Sequence, residues 1–172
     1  MPSGDDLAAP ARSTEPLTVA VDLYPLIPGV SGGIVPWIEG VLREMARLYP
    51  GDRLILFQRP GPAPIQVDGS NVRYVPLDAH PMVFYDEMTQ VCERQGAQAV
   101  IRTYPQEQHP AIPFERQIFT VPDIQHDHFA EFFSRPVLAV RRRAFAWALS
   151  CGGLIATMTE HSRSTVISHP WT

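Results

Sequence analysis

Val19-Ala20-Val21-Asp22-Leu23, a Pro/Gly-rich turn, and then Ser31-Gly32-Gly33-Ile34 at the head of a long helical stripe: residues 19–48 decide the fold. The first run is short, β-branched and apolar on both faces, the pattern of a buried parallel strand. After Gly33 the apolar residues fall at Ile34, Ile38, Val41, Leu42, Met45 and Leu48, which makes one helical face. Glu39, Arg43, Glu44 and Arg47 stand away from it, and Pro50-Gly51 ends the helix. Adjacent glycines allow positive φ and close approach of another group. A helix that starts directly after them offers free N–H groups and the positive end of its dipole, which suits a phosphate. The same arrangement also serves as a plain tight turn. It is neither a Walker loop, since no Gly-Lys-Ser/Thr follows, nor the GxGxxG fingerprint, since the spacing differs.

Working outward, the pattern repeats. Short apolar strands are expected at 17–23, 53–58, 71–76, 99–101, 117–121 and 154–157. Helices are expected at 34–48, 85–95, 136–150 and from about Glu160 to Ile167, with Gly96 as a C-terminal cap. The helix at 136–150 carries apolar residues on most of its surface and is expected to be largely buried, with Arg142 and Arg143 exposed. Alternating strands and helices predict an α/β fold, a Rossmann-like parallel sheet with helices on both faces. Ligands of such sheets bind beyond the carboxyl ends of the strands. That edge collects residues 25–33, 102–113, 122–128 and 157–162.

The 172 residues are enough for one domain, expected at 17–169. Residues 1–16 are polar and aperiodic and read as a disordered leader. They lack the basic start and apolar run of a signal peptide, and no stretch reaches the ~18–20 apolar residues of a membrane span. A cytoplasmic protein follows. The net charge of -4 argues against general nucleic-acid binding, which needs clustered positive charge. All 14 basic residues are Arg. Cys92 and Cys151 sit in apolar helical settings and read as buried free thiols.

Three further constellations stand out. Asp123-Ile124-Gln125-His126-Asp127-His128 offers Asp123, Gln125 and His126 as hydrogen-bonding groups for a polyhydroxylated ligand. Asp123, His126 and His128 also form a metal candidate, but no third His or Cys lies at a helpful spacing. The plain structural reading is that Asp123 and His126 tie down their own loop. Thr159-Glu160 has the form of a helix cap followed by a first-turn carboxylate. Arg141-Arg142-Arg143 spreads around its helix and forms no single basic face. No Ser/His/Asp order, Gly-x-Ser-x-Gly elbow or HExxH is present.

In order along the chain, these passages resemble the amino-terminal half of a family 4 retaining glycosyltransferase of the GT-B fold. Ser31-Gly32-Gly33-Ile34-Val35 and the helix ending Leu42-Arg43-Glu44-Met45-Ala46-Arg47-Leu48-Tyr49-Pro50 resemble that family's Gly-Gly loop and following helix. Val121-Pro122-Asp123-Ile124-Gln125-His126 with Phe129-Ala130-Glu131-Phe132-Phe133-Ser134 is similar to its D-x-Q-H…PEFFS segment. Thr157-Met158-Thr159-Glu160-His161-Ser162-Arg163 is similar to its strand-to-helix junction. There are departures. Thr159 stands where Ser is usual, Ala130 where Pro is usual, and Pro122 where many members have His, which leaves His126 as the nearest sugar-contacting candidate.

The resemblance implies one half of a GT-B architecture, the acceptor-side wall of a cleft. A missing C-terminal domain would supply most donor contacts, with its linker starting at 170–172. The implied activity is transfer of a sugar from a nucleotide-sugar donor to a saccharide or lipid-linked acceptor with retention, as in polysaccharide biosynthesis. Gly32 and Gly33 would face the donor phosphate, Asp123, Gln125 and His126 the acceptor or sugar, with Thr159 and Glu160 in support. No metal or other cofactor is required, the nucleotide sugar being a substrate. The chain alone is expected to be inactive, and a lipid-linked acceptor would bring peripheral membrane contact at the inner face. The competing readings are a non-catalytic Rossmann-like binding or scaffold module and a small metal hydrolase using His126 and His128.

Overall fold

The computed structural model describes residues 15–170. The leader expected at 1–16 therefore lies almost wholly outside the described residues, as do Trp171 and Thr172. The strands are β1 (Thr18–Asp22), β2 (Arg53–Gln58), β3 (Val72–Pro76), β4 (Ala99–Arg102), β5 (Gln117–Val121) and β6 (Leu154–Thr157). The helices are α1 (Ile34–Leu48), α2 (Pro81–Gln95), α3 (Gln125–His128), α4 (Arg135–Ser150) and α5 (Glu160–Ile167). All neighbouring strands pair in parallel, in the order β3-β2-β1-β4-β5-β6. The protein has the expected α/β Rossmann-like fold.

Strand alternation explains the layers. Val19, Val21, Leu54 and Leu56 point to one face, where they meet Ile34, Ile38, Leu42 and Ala46 of α1. Ala20, Ile55, Phe57 and Val100 point to the other, where they meet Phe84, Tyr85, Met88 and Cys92 of α2. Register locks the two sets: Val21 lies beside Leu56 and Ile101, and Ala20 beside Ile55 and Val100. A one-residue slip would send each set to the wrong face.

Four expectations need correction. Helix α2 starts at Pro81, a turn ahead of Tyr85, because proline is preorganised for the first helical position. Residues 123–134, where the sequence predicts a loop and no helix, contain α3 and a 3₁₀ turn at Ala130–Phe132. Helix α4 is not largely buried: only Ala144, Phe145 and Ala148 are, while Val137 is 44% and Val140 60% exposed. Strand β6 is not buried on both faces, since it is an edge strand with Leu154 64% exposed. It reaches β5 through Gly153, where a Cβ would stand 2.7 Å from the Phe119 ring and 2.9 Å from the Gln117 carbonyl oxygen.

Both cysteines are free; Cys92 is buried and Cys151 half-buried. Burial pushes the Cys92 thiol up to about 12, so it behaves as a small apolar side chain. Among the described residues, no helix is long and apolar enough to cross a membrane.

Candidate functional site

The chain runs outward from β1 in both directions, to β2 on one side and to β4 on the other. The loops that leave β1 and β4 therefore start at the strand-order reversal, the place beyond the carboxyl ends where sheets of this kind bind ligands. A buried polar network marks this point. Asp22 ends β1, Arg102 ends β4, and the two are register partners. Arg102 Nε donates to Asp22 Oδ2 at 3.0 Å with both side chains wholly buried. The Tyr24 N–H donates to Asp22 Oδ1 at 3.0 Å and the Tyr85 hydroxyl to Oδ2 at 2.9 Å. Arg102 Nη2 donates to the Gln108 carbonyl at 2.7 Å and Nη1 to Gln117 Oε1 at 3.3 Å. The Thr103 hydroxyl donates to the Asp22 carbonyl at 2.5 Å.

The network fixes the roots of two loops. A lone carboxylate and a lone guanidinium would each be costly here, and the geometry satisfies both together. Burial pushes the Asp22 carboxyl up, while Arg102 and the Tyr85 hydroxyl pull it down. Burial, and then the Asp22 charge, pushes the Tyr85 phenol well above its ordinary value of 10.0. Tyr85 therefore stays protonated and remains a donor. Its single proton goes to Asp22, and the Gln106 amide lies 3.0 Å from the same phenol oxygen.

The glycine loop leaves the same edge. The Val30 and Ser31 N–H groups donate to the Ile27 carbonyl, and the Ile27 N–H donates to Ser31 Oγ at 2.8 Å. Gly32 has φ +60°, a left-handed conformation that glycine adopts freely. Gly33 is the N-cap of α1 with φ −64°, and a Cβ there would meet nothing within 4 Å. Both glycines are exposed. In the first turn of α1 the Val35 N–H donates to the Gly32 carbonyl at 3.3 Å and Pro36 carries no N–H, so the backbone donors left at the positive end of the dipole are those of Gly33 and Ile34.

Across the edge lies a cavity of about 240 Å³ between the β4–β5 loop and α4. Tyr104, Gln106 and Gln108 line one side, and Arg141, Ala144 and Phe145 the other. Burial pushes the Tyr104 phenol up, against the pull of Arg141, so it too stays a hydroxyl.

The other expected site residues divide. Asp123 and Gln125 are exposed, and Asp123 Oδ1 accepts the Gln125 N–H at 2.9 Å, an Asx turn that starts α3. His126 is wholly buried, its ring edge-on to Phe145 at 4.6 Å, and so braces α3 against α4. Burial holds its pKa below the usual 6.5. His128 is exposed. Among the described residues, no group of three His, Cys, Asp or Glu could hold a metal ion. Thr159 caps α5 by accepting the Ser162 N–H at 3.0 Å, and Glu160 pairs with Arg163 at 2.8 Å. Both interactions are local to α5.

Sequence reasoning missed the centre of the site. It placed Asp22 inside an apolar strand and Arg102 at the start of a loop. A signal was present: a carboxylate within a buried strand demands a partner, and Arg102 ends the next parallel strand. No protein-family model matches the chain, and no curated protein matches its sequence.

Proposed function

We propose that this chain is the acceptor-side half of a retaining glycosyltransferase, which transfers a sugar from a nucleotide sugar to a saccharide or lipid-linked acceptor. One observation carries the reading. The exposed Gly32-Gly33 loop at the head of α1 follows β1, and the loop that lines the cavity at 104–108 follows β4, so both leave the carboxyl edge of the parallel sheet from the two strands that flank the strand-order reversal. In this reading, the backbone N–H groups of that loop stabilise the charge that develops on the donor diphosphate as the glycosidic bond breaks. The exposed Asp123 and Gln125 orient the acceptor. His126 holds their loop from beneath. A second domain supplies the remaining donor contacts and closes the cleft.

The test is turnover by the protein containing this chain and that second domain. A panel of nucleotide sugars is offered, and the product's anomeric configuration is read by NMR. Gly33→Val is expected to abolish transfer while the thermal midpoint stays near the parent's, since a Cβ there meets no protein atom within 4 Å. Full transfer by the variant would reduce the loop to a turn. The chain alone should bind nucleotide sugars weakly, and tight binding by it would contradict the division of the site.

A further inference from the structure

We propose that the cavity between the β4–β5 loop and α4 binds an anionic group, a carboxylate or a phosphate, held by Arg141. The three consecutive arginines of α4 differ in their surroundings. Arg142 Nε pairs with Asp127 Oδ1 at 2.7 Å, and Arg143 pairs with Glu107. Arg141 has no carboxylate partner among the described residues. Aromatic rings hold it instead: its guanidinium lies 4.7 Å from the Phe133 ring centroid and 6.0 Å from that of Tyr104.

These contacts engage the guanidinium through its charge and face and use none of its N–H donors. Arg141 lines the cavity, so its guanidinium fork is among the groups that a ligand there would meet. Planar bidentate donation to a carboxylate or phosphate is what such a fork does best. The rest of the lining agrees. The Tyr104 hydroxyl stays protonated, and the amides of Gln106 and Gln108 add neutral donors. Glu107 is the carboxylate on the rim, and Arg143 already neutralises it. Asp123 lies near enough to act on Tyr104, but its Oδ1 accepts the Gln125 N–H.

The opposite wall is rigid. The Gln108 carbonyl is bound by Arg102, and Gln106 touches Tyr85, so the buried network fixes the loop that faces Arg141. The cavity, at about 240 Å³, is below the range that takes drug-sized ligands whole, and fits one sugar unit or one phosphate. That the anion belongs to the acceptor rests on the transferase reading; the anion site itself does not.

The experiment titrates the 172-residue chain with inorganic phosphate, methyl glucuronide and methyl glucoside at low salt, followed by amide NMR. Saturable shifts at Tyr104, Gln106 and Val140–Ala144 are expected with an anionic probe and not with the glucoside. Glucuronide alone assigns a carboxylate, phosphate alone a phosphoryl group, and either upholds the site. Arg141→Gln should weaken binding by about tenfold or more, the loss of a charge-assisted pair. Arg142→Gln, the same charge change next door, should leave it within about twofold. Binding of the glucoside as tight as the glucuronide, no saturation with either anion, or an unchanged Arg141→Gln would overturn the proposal. If Arg141→Gln fails to fold, the ranking of the three probes on the parent chain still decides. Anion binding without sugar transfer by the two-domain protein would sink the transferase reading and leave this site standing.

Discussion

His126 lies on a four-residue helix and is the residue of that helix with no exposed surface. Burial pushes its pKa below the usual 6.5, and Arg141 and Arg142 act in the same direction against Asp127 and Asp123. The sign of the consequence is fixed. The folded state holds the ring neutral, while the unfolded chain takes up a proton near 6.5. Stability from this group is complete above that pH and is lost as pH falls toward the lowered folded value. The urea midpoint is therefore expected to drop on acidification from about pH 7.5 to 5.5, with at most one proton's slope, about 1.4 kcal/mol per pH unit. His126→Phe, which keeps a ring against Phe145, should flatten that part of the curve. An identical curve for the variant would show that His126 does not titrate with unfolding. The sequence offered His126 as a ligand contact because its ring, with Asp123 and Gln125, could hydrogen-bond a polyhydroxylated ligand. Its inward orientation depends on Phe145 of α4, and no local pattern encodes that meeting.

At the scale of elements, β1 and α1 were legible because each satisfies its own periodicity and its own end signals. Strand β6 and helix α4 were legible as elements but not in their exposure. An apolar run shows which face seeks cover, whereas its neighbours decide whether cover is there. The join between β1 and β4 was illegible for a related reason: Asp22 and Arg102 are distant in sequence and meet only through strand order. That join gives a sharp energetic expectation. Arg102→Met leaves a buried carboxylate, and Asp22→Asn leaves a buried guanidinium; each should cost about 3–5 kcal/mol. The double variant should cost less than the sum by about 2 kcal/mol, since it leaves no unpaired buried charge. Tyr85→Phe, which removes one hydrogen bond to Asp22, should cost about 1 kcal/mol. Chemical denaturation of the four proteins checks the cycle, and additive single effects would mean that the pair does not join the strands.

Across the whole molecule, stability is graded along the sheet. Strands β1, β2, β4 and β5 each have two neighbours, and thirteen buried apolar residues cluster around α1. The cluster that joins β5, α4 and α5 is smaller, made of Val121, Ile124, Phe145 and Val166. Beyond it β6 has one neighbour, with Leu154 largely in water, and α5 is only eight residues long. Regions with few buried contacts open at lower free energy than the core. Native-state hydrogen exchange should find β6 and α5 exchanging at least about tenfold faster than β1 and β2. The gradient crosses the cavity. One wall, at 103–108, is tied to the most stable strands through Arg102, and the other, α4, belongs to the weakly held corner. An anion that bridges Arg141 to the fixed wall would then slow exchange in α4 and leave β1 unchanged, because ligand binding stabilises only the states that retain its site. Uniform protection across all six strands, with or without phosphate, would show instead that the sheet opens as a single unit and that the corner is not its weak part.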